Sequence, residues 1–113
     1  MEVRLKTEFW IQALIRRCAI EGIPAYVVRR GDENAGVVLV KVNCLDGRAS
    51  VYFQARGAEG ERIWLAYNVD KGKLLPECDA DAFIKRQLDF DPDVWVIEIE
   101  DRQGRHFLLE PVE

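Results

Sequence analysis

The feature that most constrains this chain is a change of hydrophobic period at Gly22-Ile23-Pro24. Before it, apolar residues recur at helical spacing. After it, β-branched and aromatic residues alternate with polar ones, broken by turn signals at roughly eight- to twelve-residue intervals. Residues 8–21 therefore read as a helix, with Thr7 as N-cap, Gly22 closing it and Pro24 just beyond. At 100° per residue Glu8, Gln12 and Arg16 form a narrow polar stripe. Ile11, Leu14, Ile15 and Cys18 occupy one apolar face, and Phe9, Ala13 and Ile20 occupy another beyond that stripe. A helix apolar on two faces usually touches protein on both, so this one either sits centrally in its fold or offers its second face to another chain.

The alternation from Ala25 to Tyr67 predicts an antiparallel meander, with strands near residues 25–30, 37–43, 48–55 and 62–67. Asp46-Gly47 supplies the hairpin turn between the second and third, because such turns need residues that tolerate positive φ. On the third strand Ala49, Val51 and Phe53 are expected inward and Arg48, Ser50 and Gln54 outward. Residues 68–78 read as an irregular connection. Asp79 then reads as the N-cap of a second helix, whose apolar side is Ala82, Phe83, Ile84 and Leu88, and Asp91-Pro92-Asp93 ends it. Val94 to Glu100 forms a strand with Trp95, Ile97 and Ile99 on one face and Glu98 and Glu100 on the other. A turn at residues 101–104 leads to a last strand, Arg105 to Leu109. The expected order is αββββαββ, an α+β fold with a mainly antiparallel sheet of about six strands and two helices. At 113 residues, one domain over residues 1–113 is expected to hold it.

Function classes are narrowed chiefly by what is missing. The longest apolar run, Val37 to Val40, is far below the roughly 20 residues a membrane helix needs, and the charged start at Glu2, Arg4 and Lys6 lacks a signal core. A cytoplasmic setting with no membrane partner is expected. Cys18, Cys44 and Cys78 match neither a disulfide framework nor paired zinc spacing, and read as reduced thiols. His106 is the only histidine, and no carboxylate or cysteine pair stands at ligand spacing around it. None of the glycines forms a phosphate-binding loop. The pairs Asp91/Asp93 and Glu98/Glu100 are explained by a turn and by the solvent side of a strand. No catalytic residue, metal ligand or cofactor site is therefore expected.

Charge is spread unevenly. Residues 1–30 carry six Lys/Arg against three Asp/Glu, a net of +3, whereas residues 79–113 carry four against ten, a net of −6. Arg16-Arg17 and Arg29-Arg30 suit an anion, but a pI near 5.1 opposes nucleic acid as the partner. Pairing of these arginines with the acidic C-terminal part, in the same chain or a second one, is the expected alternative.

Several stretches carry a resemblance: Arg4-Leu5-Lys6-Thr7-Glu8-Phe9-Trp10, Ile15-Arg16-Arg17-Cys18 with Gly22-Ile23-Pro24-Ala25, Val28-Arg29-Arg30-Gly31-Asp32, Phe90-Asp91-Pro92-Asp93-Val94-Trp95, and Glu98 through Phe107. Together they resemble an alphaproteobacterial family, domain of unknown function 1491. The resemblance implies a bacterial cytoplasmic protein and supplies no catalytic residues. The expected function is a non-catalytic interaction or oligomerisation domain, with Phe9, Trp10 and Ile20 as apolar contacts and Arg16, Arg17, Arg29 and Arg30 meeting acids such as Asp91 and Asp93. The rival reading is a small-molecule or anion site, with or without catalysis, lined by Arg29, Arg30, Arg102 and His106, which requires those four to converge on one concavity.

Overall fold

The computed structural model describes residues 7–33, 37–67 and 74–113. Residues 34–36 of the expected turn at 31–36, and residues 68–73 of the expected connection at 68–78, lie outside them. The elements are α1 (Thr7–Ile20), β1 (Ala25–Arg29), β2 (Val38–Asn43), β3 (Arg48–Arg56), β4 (Arg62–Tyr67), β5 (Leu75–Pro76), α2 (Glu77–Phe90) and β6 (Trp95–Glu100). They form an α+β fold built on a six-stranded, mostly antiparallel sheet.

The strand order is β1-β6-β2-β3-β4, with β5 paired to β3. This corrects the four-strand meander: β6 inserts between β1 and β2, running antiparallel to β1 and parallel to β2. The physical reason lies in β2, every residue of which from Val38 to Val42 is buried. Such a strand must be covered on both faces and flanked on both edges, and the equally buried β6 meets that need where the exposed β1 does not.

Alternate residues of the central strands feed two cores. Val38, Val40 and Val42 join Trp95, Ile97 and Ile99 beneath Ile11, Leu14 and Cys18 of α1. On the opposite face Leu39, Ala49, Val51 and Val96 pack against Ala80, Phe83 and Ile84 of α2. The sheet is thus covered by one helix on each side. On β3 this double burial corrects the inward and outward assignment, since Ser50 and Tyr52 are buried along with Ala49 and Val51. In α2 the helix begins three residues earlier than expected. Pro76 precedes its first residue, Asp79 lies in the first turn rather than at the cap, and Ala80 instead of Ala82 takes the buried position.

The expected last strand, Arg105 to Leu109, does not form. Its backbone donors are claimed locally: the Asp101 carboxylate accepts the Arg105 N–H at 2.8 Å, and His106 Nδ1 accepts the Leu108 N–H at 2.9 Å. Phe107 adopts φ 57°, in the left-handed region. Side-chain bonds of this kind offer the chain an alternative to a ladder. Beyond them the chain returns to the sheet at residues 110–113, where Val112 bridges to Trp64 on the outer edge of β4.

Candidate functional site

Three places on this frame carry groups that could engage something outside the chain. The first is the outer stripe of α1. Ile11, Leu14 and Cys18 are sealed against the sheet, while Phe9 and Ile20 are 61% and 75% exposed on the opposite side, with Ala13 and Arg16 exposed between them. The other expected contacts on this helix turn inward. Trp10 stacks on Trp64 with ring centroids 5.4 Å apart, and Arg17 donates from Nε and Nη2 to the Phe107 carbonyl at 3.2 and 3.1 Å.

The second place is the C-terminal end of β1. Arg29 Nη2 donates to the Pro92 carbonyl at 3.1 Å, so it reaches the Asp91-Pro92-Asp93 turn but meets its backbone rather than its carboxylates. Arg30 pairs with Glu33 at 3.0 Å and Glu8 at 3.5 Å, and its guanidinium lies 5.1 Å from the centre of the Trp95 ring. Close approach here depends on Gly31, where a Cβ would collide with the Asp93 carbonyl and the Trp95 ring. Arg29 and Arg30 stand together, and the other two anion candidates stand elsewhere. Arg29 is in register with Val96 near the start of β6 and Arg102 lies in the turn past its end, so four strand residues, about 13 Å, and part of that turn separate them. His106 sits edge-on to Tyr52 of β3 at 5.0 Å, three strands from β1. Burial lowers its pKa and its Nδ1 accepts a hydrogen bond, both of which favour the uncharged ring.

The third place is not evident from motif reading. Lys41, in the middle of β2, is 5% exposed, and its Nζ bonds Glu77 and Asp81 of α2, each at 2.7 Å, with Glu98 of β6 at 3.4 Å. Asn43 donates to Glu77 at 3.1 Å and to Glu98 at 3.4 Å. Tyr26 of β1 closes the chain of contacts, its hydroxyl lying 3.1 Å from both Glu98 and Glu100. Burial works against the charged form of Lys41, but the hydrogen bonds it donates to Asp81 and Glu77, together with the Glu98 and Asp81 charges, outweigh it and hold the ammonium above its ordinary pKa. Burial, the hydrogen bond to Glu100 and the Glu98 charge push the Tyr26 phenol up to about 12. Both groups keep their protons at neutral pH, so neither serves as a base there. The network ties α2 to the sheet. Its signal in the sequence was a single lysine within Val37-Val38-Leu39-Val40-Lys41-Val42, since a charge on a doubly buried strand must find partners. Among the described residues no group of three or more His, Cys, Asp or Glu is placed to hold a metal ion, and no helix is long and apolar enough to cross a membrane.

A family model described as "Protein of unknown function (DUF1491)" matches residues 5–109. The chain belongs to the DUF1491 family. Comparison with curated proteins gave no match. Among solved structures, this DUF1491 chain is similar to a crystal structure of a DUF1491 family protein from Caulobacter crescentus CB15, with 47% identity over 97% of this chain and 100% of that one and a TM-score of 0.85. An NMR structure of a DUF1491 family protein from the same organism gives 46% identity, 99% of each chain and a TM-score of 0.81. A solution structure of a protein from A. tumefaciens gives 30% identity over 96% of this chain and 95% of that one, with a TM-score of 0.77. The family carries no assigned activity, so the functional reading of this DUF1491 chain rests on its own surface.

Proposed function

We propose that the chain is a non-catalytic protein-association domain, acting in the cytoplasm, where its three thiols stay reduced. The observation that carries this reading is the outer stripe of α1. Two large apolar side chains, Phe9 and Ile20, stand in water on a helix whose inner face already fills the core. Scattered exposed apolar residues are ordinary, but these two share one helix face with Ala13. A partner that buries both side chains gains roughly 1.5–3 kcal/mol for each. A photo-crosslinking residue at position 9 or 20, expressed in cells, is expected to trap a protein partner that the same residue at Glu59, on the turn before β4, does not. Equal trapping at all three positions would remove the support for this reading, as would unchanged partner binding by the F9K/I20K variant with its fold intact.

A further inference from the structure

We infer that β1 is a self-association edge, through which two copies of the chain pair their β1 strands antiparallel about a two-fold axis and exchange an ion pair between Arg29 of one copy and Glu100 of the other. The inference rests on the reading of the chain as an association domain and adds a partner and a surface separate from α1.

The backbone supplies the first part of the argument. Antiparallel ladders alternate between pairs that exchange hydrogen bonds and pairs that do not. Glu100 donates its N–H to the Pro24 carbonyl at 2.9 Å, and the register continues with Ala25 opposite Ile99 and Tyr26 opposite Glu98. Tyr26 therefore turns its amide and carbonyl toward β6, while Ala25 and Val27 turn theirs outward. Among the described residues no strand lies beyond β1. Tyr26, Val27 and Val28 are exposed as well, so the edge offers both hydrogen-bonding groups and apolar side chains.

Charge decides the occupant. Glu100 meets the Tyr26 hydroxyl but no cation among the described residues, and Arg29 meets a carbonyl but no carboxylate. Within one chain they cannot meet, because Glu100 lies beside Pro24, five residues of strand or about 16 Å from Arg29. A second copy changes this. Antiparallel pairing sets the first residue of one β1 against the last of the other, so Arg29 arrives two strand spacings, about 10 Å, from the partner's β6. Long side chains span that gap. They also share a face: Tyr26 pairs with Glu98 and Arg29 with Val96, and a two-fold normal to the sheet keeps that face common to both copies. The register shift between Val27 and Arg29 shortens the regular part of the edge, so the dimer is small and weak, with Kd on the order of tens of micromolar.

Sedimentation equilibrium of the full chain from about 1 to 500 μM tests this. Wild type is expected to dimerise in that range, and R29E and E100R each to weaken the dimer about tenfold, because each homodimer then opposes like charges. An equimolar mixture of the two variants is expected to recover wild-type affinity, since the mixed dimer restores both opposite-charge pairs. Circular dichroism checks that each variant is folded. Independently of any variant, the amides of Ala25 and Val27 in wild type are expected to gain hydrogen-exchange protection as protein concentration rises. A chain monomeric throughout the range, a mixture no tighter than its components, or protection independent of concentration overturns the inference. None of these results bears on crosslinking through positions 9 and 20, which tests α1.

Discussion

The two outer edges of the sheet are treated in opposite ways. At β4, the C-terminal segment lies alongside the strand: the Trp64 N–H donates to the Pro111 carbonyl and the Glu113 N–H to the Trp64 carbonyl, each at 2.8 Å. The Trp64 indole is fully buried, stacked on Trp10 and bonded through Nε1 to Glu110 at 3.1 Å. At β1 nothing comparable is present among the described residues, and Tyr26, Val27, Val28 and Arg29 are all exposed. An open strand edge is a liability that folded proteins ordinarily cover, charge or twist away. Among the described residues, one edge is covered by the chain's own backbone and the other carries only a bulge and an arginine. That difference marks β1, rather than β4, as the edge where a partner strand fits.

Breaking the sealed edge should have the largest effect. Trp64→Ala removes a fully buried ring and its stacking partner's support, and is expected to lose about 3–5 kcal/mol of stability in urea titrations. Next is the turn from which the C-terminal segment leaves the sheet. Asp101, 3% exposed, accepts from the Arg105 N–H and Nε at 2.8 Å and from Nη2 at 3.2 Å. The Arg105 guanidinium, followed by the backbone N–H groups of Arg105 and Gln103, outweighs burial and holds this carboxyl below its usual pKa. A depressed carboxyl contributes its stability above the unfolded-state pKa, near 3.9, and loses it as pH falls through the folded value. Asp101→Asn is accordingly expected to cost about 1–2 kcal/mol at pH 7, discounted for the half-exposed arginine. The gap between variant and wild type should narrow below about pH 4, read from unfolding curves across pH. A gap that widens in acid would show that the carboxylate charge is not what matters. Glu110→Ala leaves the Trp64 indole N–H without its acceptor, and about 1 kcal/mol of loss is expected.

The same contrast explains what could be read in the sequence. Helix α1 was legible because its determinants are local, the spacing of Ile11, Leu14 and Cys18 and the stop at Gly22, although Thr7, expected at the cap, is its first residue. Strands β1 to β4 and β6 were legible one by one for the same reason, whereas β5 lies in what read as an irregular connection. Which strand lies beside which was not, because β1 and β6 are joined by contacts some seventy residues apart, such as Ala25 with Ile99. The run from Val37 to Val42 held the missing clue, since a strand apolar at every position but Lys41 belongs in the middle of a sheet. Lys41 itself was legible as an anomaly, but its partners Glu77 and Asp81 come from the far end of the chain's path around β3 and β4. The failed strand at residues 105–109 ends in the apolar run Phe107-Leu108-Leu109, and what undoes it is a pair of local side-chain bonds, to Asp101 and His106, that hydrophobic pattern does not register. Of the residues singled out for function, Phe9 and Ile20 lie where the helical wheel placed them. Arg29, Arg30, Arg102 and His106 could not be gathered or separated without the strand order.

The smallest stability change sharpens the comparison most. Val28 on the open edge is 54% exposed, whereas Val40 on β2 is completely buried, although each is a valine in an apolar strand. Val28→Lys should leave the unfolding free energy within about 0.5 kcal/mol of wild type, because its new charge stays in water and no cavity forms. It should nevertheless abolish concentration-dependent association, since a lysine there must be desolvated to fit beneath a partner strand. The corresponding change at Val40 would bury an unpaired ammonium and unfold the chain. Urea titration and sedimentation of Val28→Lys therefore separate the two duties a β-strand can have. A strand that only completes the fold loses stability when its apolar residue is replaced, and a strand that meets a partner loses the partner first. If Val28→Lys destabilised the monomer by several kcal/mol, β1 would be closed by this chain's own residues, and the two edges would be alike after all.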